Sequence, residues 1–255
     1  MSIIKNEIPI LEFDTEETAV INPTQEKLGL ELPEKCVFAF IGDYMSEYAR
    51  RSNSRKAAEY VSMTKLYPVY ITRYKGEDIT LCEAPVGAAA SAQILDWLIG
   101  YGVRKIISSG SCGGLEQFPE STFLVPTKAL RDEGTSYHYA PPSRYIEISE
   151  TARKAIKETL LEHGMKYQEV ITWSTDGFYR ETKEKVEYRR NEGCSVVEME
   201  SSALAACAAF RGATWGTILY TADSLADVDK YDERNWGGNA YEYALTLCLD
   251  AVIKL

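Results

Sequence analysis

Histidine is almost missing: the 255-residue chain holds two, His138 and His163. The six cysteines, Cys36, Cys82, Cys112, Cys194, Cys207 and Cys248, are scattered and form no C-x-x-C pair. A structural Cys/His zinc site is therefore not expected, nor any other metal. The cysteines sit mostly in apolar surroundings and read as reduced, buried thiols of a cytoplasmic protein. Positive charge is short as well, 28 Lys and Arg against 38 Asp and Glu, for a net charge of −10. That excludes a nucleic-acid partner gripped through a basic face, although a locally basic pocket for a small anion is still allowed. Long apolar runs are missing, so no membrane partner is expected. The opening MSIIKNEIPILEFDTEE has neither the basic start nor the continuous apolar core of a signal peptide. Internal repeats, low-complexity tracts and linkers are absent too. These absences point to a single domain over 1–255, with 1–34 as an extended, turn-rich N-terminal segment carrying Pro9, Pro23 and Pro33.

What is present is an alternation of apolar strands and helices. Cys36–Ile41, Lys105–Ser108, Thr122–Pro126, Glu169–Trp173 and Ala213–Tyr220 read as buried strands. Tyr67–Tyr74 and Ile79–Ala84 flank Lys75-Gly76-Glu77-Asp78 as an antiparallel hairpin. Gly87–Gly100, Ser149–His163 and Tyr241–Lys254 read as helices, the second capped by Ser149 and ended by Gly164. The polar stretch Arg50–Lys65 is expected to be partly helical. The fold class is therefore α/β with a mixed sheet.

Loops after apolar strands carry the ionisable and small residues: Gly42-Asp43, Ser109–Gly114, Ser174–Tyr179, and Thr221 onward to about Gly238. In an open α/β sheet ligands bind at that end of the strands. A further junction, Ser195–Phe210, reads as strand, then Glu198-Met199-Glu200, then a tightly packed helix of small residues. Taken alone, the two carboxylates also fit solvated acids, or one acid held by the positive end of the following helix. Gly110-Ser111-Cys112-Gly113-Gly114 is open three ways. It fits a cysteine nucleophile elbow, a cradle of backbone N–H groups for an anion, or a plain tight turn. The first lacks the late histidine that such an enzyme uses.

Together these segments resemble the nucleoside phosphorylases of the purine and uridine phosphorylase type, with their hydrolytic relatives the nucleosidases. The resemblance runs from Cys36 to the C-terminus. It rests on Gly42-Asp43, KIISSGSCGGL (Lys105–Leu115), STDGFY (Ser174–Tyr179), VVEMES (Val196–Ser201) and Thr221-Ala222-Asp223. It implies a mixed, partly barrel-like central sheet flanked by helices. It also implies cleavage of a nucleoside N-glycosidic bond, by phosphate as co-substrate and without a cofactor. Glu200 would bind the ribose hydroxyls, Met199 would pack on the sugar, and Glu198 would line the same site. Phe178 and Tyr179 would meet the base, with Phe178 stacking on it, and Asp223 would protonate a purine at N7. Gly42, Ser111 and Lys65 fall on the phosphate side. A homo-oligomer, dimer or hexamer, is implied because relatives complete each site from a neighbour.

The chain departs from that pattern where phosphate is held. Ser46 and Ser108 stand at two expected arginine positions, and Lys65 replaces the arginine given by a neighbouring subunit. Glu47 stands where the hydrolytic relatives place the glutamate that activates water, so a nucleosidase is the alternative. A non-catalytic nucleoside-binding member of the fold is another, set against the retention of Glu200 and Asp223. Thr182 and Glu184 occupy the places of the uracil-reading pair, which together with Asp223 leans toward a purine.

Overall fold

Neighbouring residues of the central strands are buried on opposite faces. Val37 and Ile107 pack into one apolar cluster, Phe38 and Ile106 into another. Such strands must read as continuous apolar runs, because helices cover both sides. The computed structural model describes residues 2–237 and 240–255. Its elements in chain order are β1 (Ile3–Ile4), β2 (Phe13–Asp14), β3 (Lys35–Ala39), α1 (Tyr44–Arg51), β4 (Arg55–Val61), β5 (Leu66–Tyr74), β6 (Glu77–Glu83), α2 (Ala88–Gly100) and β7 (Lys105–Gly114). There follow β8 (Phe123–Asp132), β9 (Tyr145–Glu147), α3 (Glu150–Glu162), β10 (Gln168–Thr175), α4 (Lys183–Asn191), β11 (Cys194–Glu198), α5 (Ser201–Phe210), β12 (Thr214–Ser224) and α6 (Tyr241–Ile253).

The main sheet runs β11-β10-β8-β12-β7-β3-β6-β5-β4. β11 also returns to β7, antiparallel, with Val196 opposite Gly114 and Val197 opposite Gly113. That pairing closes β7, β12, β8, β10 and β11 into a small mixed barrel, and β7 is the strand from which the open half of the sheet continues. On one face Ile94, Leu95 and Leu98 of α2 meet Leu204 and Ala208 of α5 over Phe38, Ile106 and Trp215. On the other, Ile156 and Leu160 of α3 meet Leu245, Leu249 and Val252 of α6. The protein is thus one α/β domain with a mixed, partly barrel-like sheet, as read from the sequence. Among the described residues no helix is long and apolar enough to cross a membrane.

Three local readings are corrected. Ser109–Gly114 is not a loop: β7 runs on through it, paired with β12 on one side as far as Gly114, across a register shift after Cys112, and with β11 on the other. Glycine serves close approach here rather than turning, since a Cβ on Gly113 would lie 2.8 Å from Leu225, 3.0 Å from Val197 and 3.3 Å from the Asp223 carboxylate. Within Arg50–Lys65 the helix stops at Arg51, Asn53 takes a positive φ of 52°, and β4 follows, paired antiparallel with β5. Tertiary contact overrides the polar composition there: Tyr60 packs edge-on against Trp97 of α2, 5.7 Å between ring centres. Finally, α4 is a helix without helical periodicity in its sequence. It buries one apolar residue, Val186, too few for a periodic stripe, although Thr182 at the cap, Glu184 in the first turn and Arg189 and Arg190 in the last are the termini signals of a helix.

Candidate active site

The end of the barrel opens into a cavity of about 310 Å³, at the lower end of the roughly 300–1,000 Å³ typical of small-molecule sites. β7 gives Gly110–Gly113 to its wall, β11 gives Val197 and Glu198, and β12 gives Trp215, Thr217, Leu219 and Asp223. Met199 and Glu200 come from the junction into α5, Phe178 and Glu181 from the segment after β10, and Trp236 from the segment after β12. Of the residues expected from sequence, Glu198, Met199, Glu200, Phe178, Asp223 and Ser111 line the cavity. Gly42, Glu47, Lys65 and Tyr179 are not in its wall. Glu47 stands exposed in the first turn of α1, Lys65 pairs with Glu83 at 2.6 Å, and Tyr179 is 92% exposed.

The two carboxylates of Glu-Met-Glu turn out to do different things. Glu198 accepts four hydrogen bonds. Thr172 Oγ1 (3.1 Å) and Ser174 Oγ (2.6 Å) donate to one oxygen, and the backbone N–H groups of Glu200 (2.8 Å) and Ser201 (2.6 Å) to the other. It therefore caps α5 from the end of β11, meeting two of the helix's orphan donors with a negative charge. Ser174 extends this lattice by accepting from Ser202 N at 3.0 Å, and Ser202 Oγ donates to Glu133 at 2.9 Å. Glu200, by contrast, accepts from Gly87 N at 2.6 Å. That bond ties the segment before α2 to the cavity, and Gly87 has a φ of 102°, a conformation that only glycine adopts without strain.

Burial pushes both carboxyls up, and the four donors around Glu198 pull back toward its ionised form. Glu200 has fewer donors, and burial plus the charge of Glu198 raise it to about 8. Asp223 is raised by burial, against a hydrogen bond accepted from Tyr231 OH at 3.1 Å. Glu181, which the sequence did not single out, is raised to about 7 by burial and then by Asp223.

No Lys, Arg or His is found among the described residues that line the cavity. Ser108, at an expected arginine position, is fully buried, and its hydroxyl accepts from the Trp215 indole N–H at 2.9 Å. Trp215 thus forms the wall beside the position where the family resemblance implies an arginine. Ser46 Oγ lies 3.4 Å from Tyr70 OH. Thr182 caps α4, accepting from Lys185 N, and neither it nor Glu184 reaches the cavity. The nucleophile-elbow reading of Cys112 is overturned. Its thiol is buried in a regular strand, donates to Tyr220 O at 3.5 Å, and is pushed well up by burial, away from the thiolate that attack requires.

A model of the phosphorylase superfamily matches residues 36–254 of the chain. A guanosine phosphorylase of Halorubrum lacusprofundi is 26% identical over 206 residues, covering 78% of this chain and 85% of that protein. A DeoD-type purine nucleoside phosphorylase of Clostridium perfringens is 26% identical over 196 residues, covering 73% and 80%. Among solved structures, the uridine phosphorylase of Vibrio fischeri superposes with a TM-score of 0.75 at 25% identity, covering 92% of this chain and 95% of that one. The AMP nucleosidase of Bacteroides thetaiotaomicron shares the fold, with a TM-score of 0.71 at 23% identity and coverage of 87% and 88%.

Proposed function

The chain belongs to the phosphorylase superfamily, and on that premise we propose that its cavity cleaves the N-glycosidic bond of a purine nucleoside, releasing the free base. The observation that carries the reading is the meeting of Glu200, Met199, Phe178 and Asp223 in one cavity, with both acids raised by burial. Departure of the base builds positive charge on the sugar. A carboxylate against the sugar hydroxyls meets that charge more strongly in the transition state than in the ground state. Those hydroxyls, as donors to Glu200, favour its ionised form when substrate enters. Asp223, whose acid form burial favours, supplies the proton that makes the purine a better leaving group.

Inorganic phosphate is the attacking co-substrate in this proposal, in keeping with the phosphorylases among the relatives, and no cofactor takes part. Ser111, exposed on β7, is the hydroxyl available to it. A homo-oligomer belongs to the same proposal, because a neighbouring copy is where a cation for phosphate would come from. Val86, which lines the cavity yet is 73% exposed, is the kind of surface such a copy would cover. One observation favours water as the nucleophile instead: among the described residues the cavity wall has four acids and no cation. Incubation with inosine, adenosine, guanosine and uridine, with and without phosphate, separates the two. Phosphate-dependent base release with a sugar 1-phosphate supports phosphorolysis, and equal release without phosphate supports hydrolysis. Uridine as the sole substrate contradicts the purine assignment.

A further inference from the structure

Glu181 is the one acid in the cavity wall with no role in the chemistry above. Glu198 is spent on capping α5, Glu200 is held by Gly87, and Asp223 by Tyr231. The carboxyl of Glu181 has no hydrogen-bond donor among the described residues; burial and the charges of Asp223 and Lys185 alone set its protonation. Lys185 is already engaged, 2.6 Å from Asp132. Glu181 also forms part of the wall of a second, smaller cavity of about 130 Å³, with Val186, Leu225 and Val228 behind it. Glu181 thus stands between the two cavities, the smaller of which Lys183, Asp227 and Tyr231 also line on the far side, and borders the main one beside Asp223, Phe178 and Trp236. A carboxyl without a protein donor in a half-buried wall has its oxygens available to accept from a ligand.

We propose that Glu181 reads the base: it accepts a hydrogen bond from an N–H at the six-membered-ring edge of a purine whose rings pack against Phe178 and Trp236. The inference rests on the nucleoside-cleaving reading and adds a substrate class, purines that carry a ring N–H or an exocyclic amine. Two acids side by side suit such a base. Asp223 donates its proton to the base, and Glu181 accepts a hydrogen bond from it. A base edge with acceptors only would face Glu181 with another lone pair.

The test compares inosine, guanosine and adenosine with unsubstituted purine riboside, which has no N–H on its base. Glu181→Ala is expected to lower kcat/KM about 10-fold or more on the best N–H-bearing substrate and to leave purine riboside within a few-fold of wild type. Glu181→Gln, whose amide oxygen still accepts, recovers part of the loss. Calorimetric binding of hypoxanthine, guanine and adenine against unsubstituted purine gives the same ratio without turnover. Equal losses on every substrate and base, or no loss on any, overturn the inference and assign Glu181 a structural role or none. Where wild type cleaves nucleosides and the ratio stays flat, only this inference falls. Where wild type neither cleaves nucleosides nor binds bases, the functional reading falls and takes it along.

Discussion

Asp223→Asn is expected to lower kcat/KM on inosine or adenosine by about 10²-fold or more while leaving 7-methylguanosine within a few-fold of wild type. The base of 7-methylguanosine is already cationic at the atom that Asp223 would protonate, so it leaves without help. The asparagine retains the side-chain volume and can still accept from Tyr231 OH, so the contact at 3.1 Å survives. Burial raises Asp223 from its ordinary value, so its acid form persists to higher pH than an exposed aspartate's. The sign follows: on neutral purine nucleosides kcat/KM falls as pH rises through that raised pKa. On 7-methylguanosine that limb is flattened. Equal losses on both substrates would instead mean that Asp223 only holds the end of β12 in place.

Glu200→Gln is the second large effect. The substitution removes one negative charge from a cavity that must meet a cationic sugar, and a loss of about 10²–10³-fold in kcat is expected, the scale of removing one group aimed at transition-state charge. The glutamine oxygen still accepts from Gly87 N, so the tie to the segment before α2 is kept. The thermal midpoint should therefore stay close to wild type. KM should change less than kcat, because the lost attraction develops as the bond breaks. Wild-type kcat in this variant would remove Glu200 from the sugar. The matching change at Glu198 behaves differently. It breaks the cap of α5 and is read first as lost stability, because four donors are left around a weaker acceptor.

The sequence carried the layered architecture plainly where strands are buried on both faces, because Val37 and Phe38 must both be apolar when helices cover each side. It misled where glycine served packing. Gly110–Gly114 looks like a turn by composition, yet β11 lies against it, and Gly113 leaves the space that Asp223 and Val197 occupy. The Glu-Met-Glu junction carried two readings in the sequence, a helix-end anion and a ligand-binding acid. The structure divides them, Glu198 taking the first and Glu200 facing the cavity. Glu181 and Trp236 gave no signal of their own. Each is a lone residue in an irregular segment, and its place in the wall follows from how β10 and β12 end rather than from any spacing. Trp215 was equally silent, being one more apolar residue in an apolar strand. Its bond to the buried Ser108 shows that Ser108 faces an indole rather than a bound anion.

The most direct test of the site is a crystal structure of the Asp223→Asn protein with inosine, since slowed cleavage leaves the nucleoside whole. The account predicts the ribose hydroxyls within hydrogen-bond distance of Glu200, the sugar over Met199, and the purine beside Phe178 with N7 toward residue 223. Inosine bound elsewhere, or seated in the cavity with its sugar away from Glu200, would contradict it.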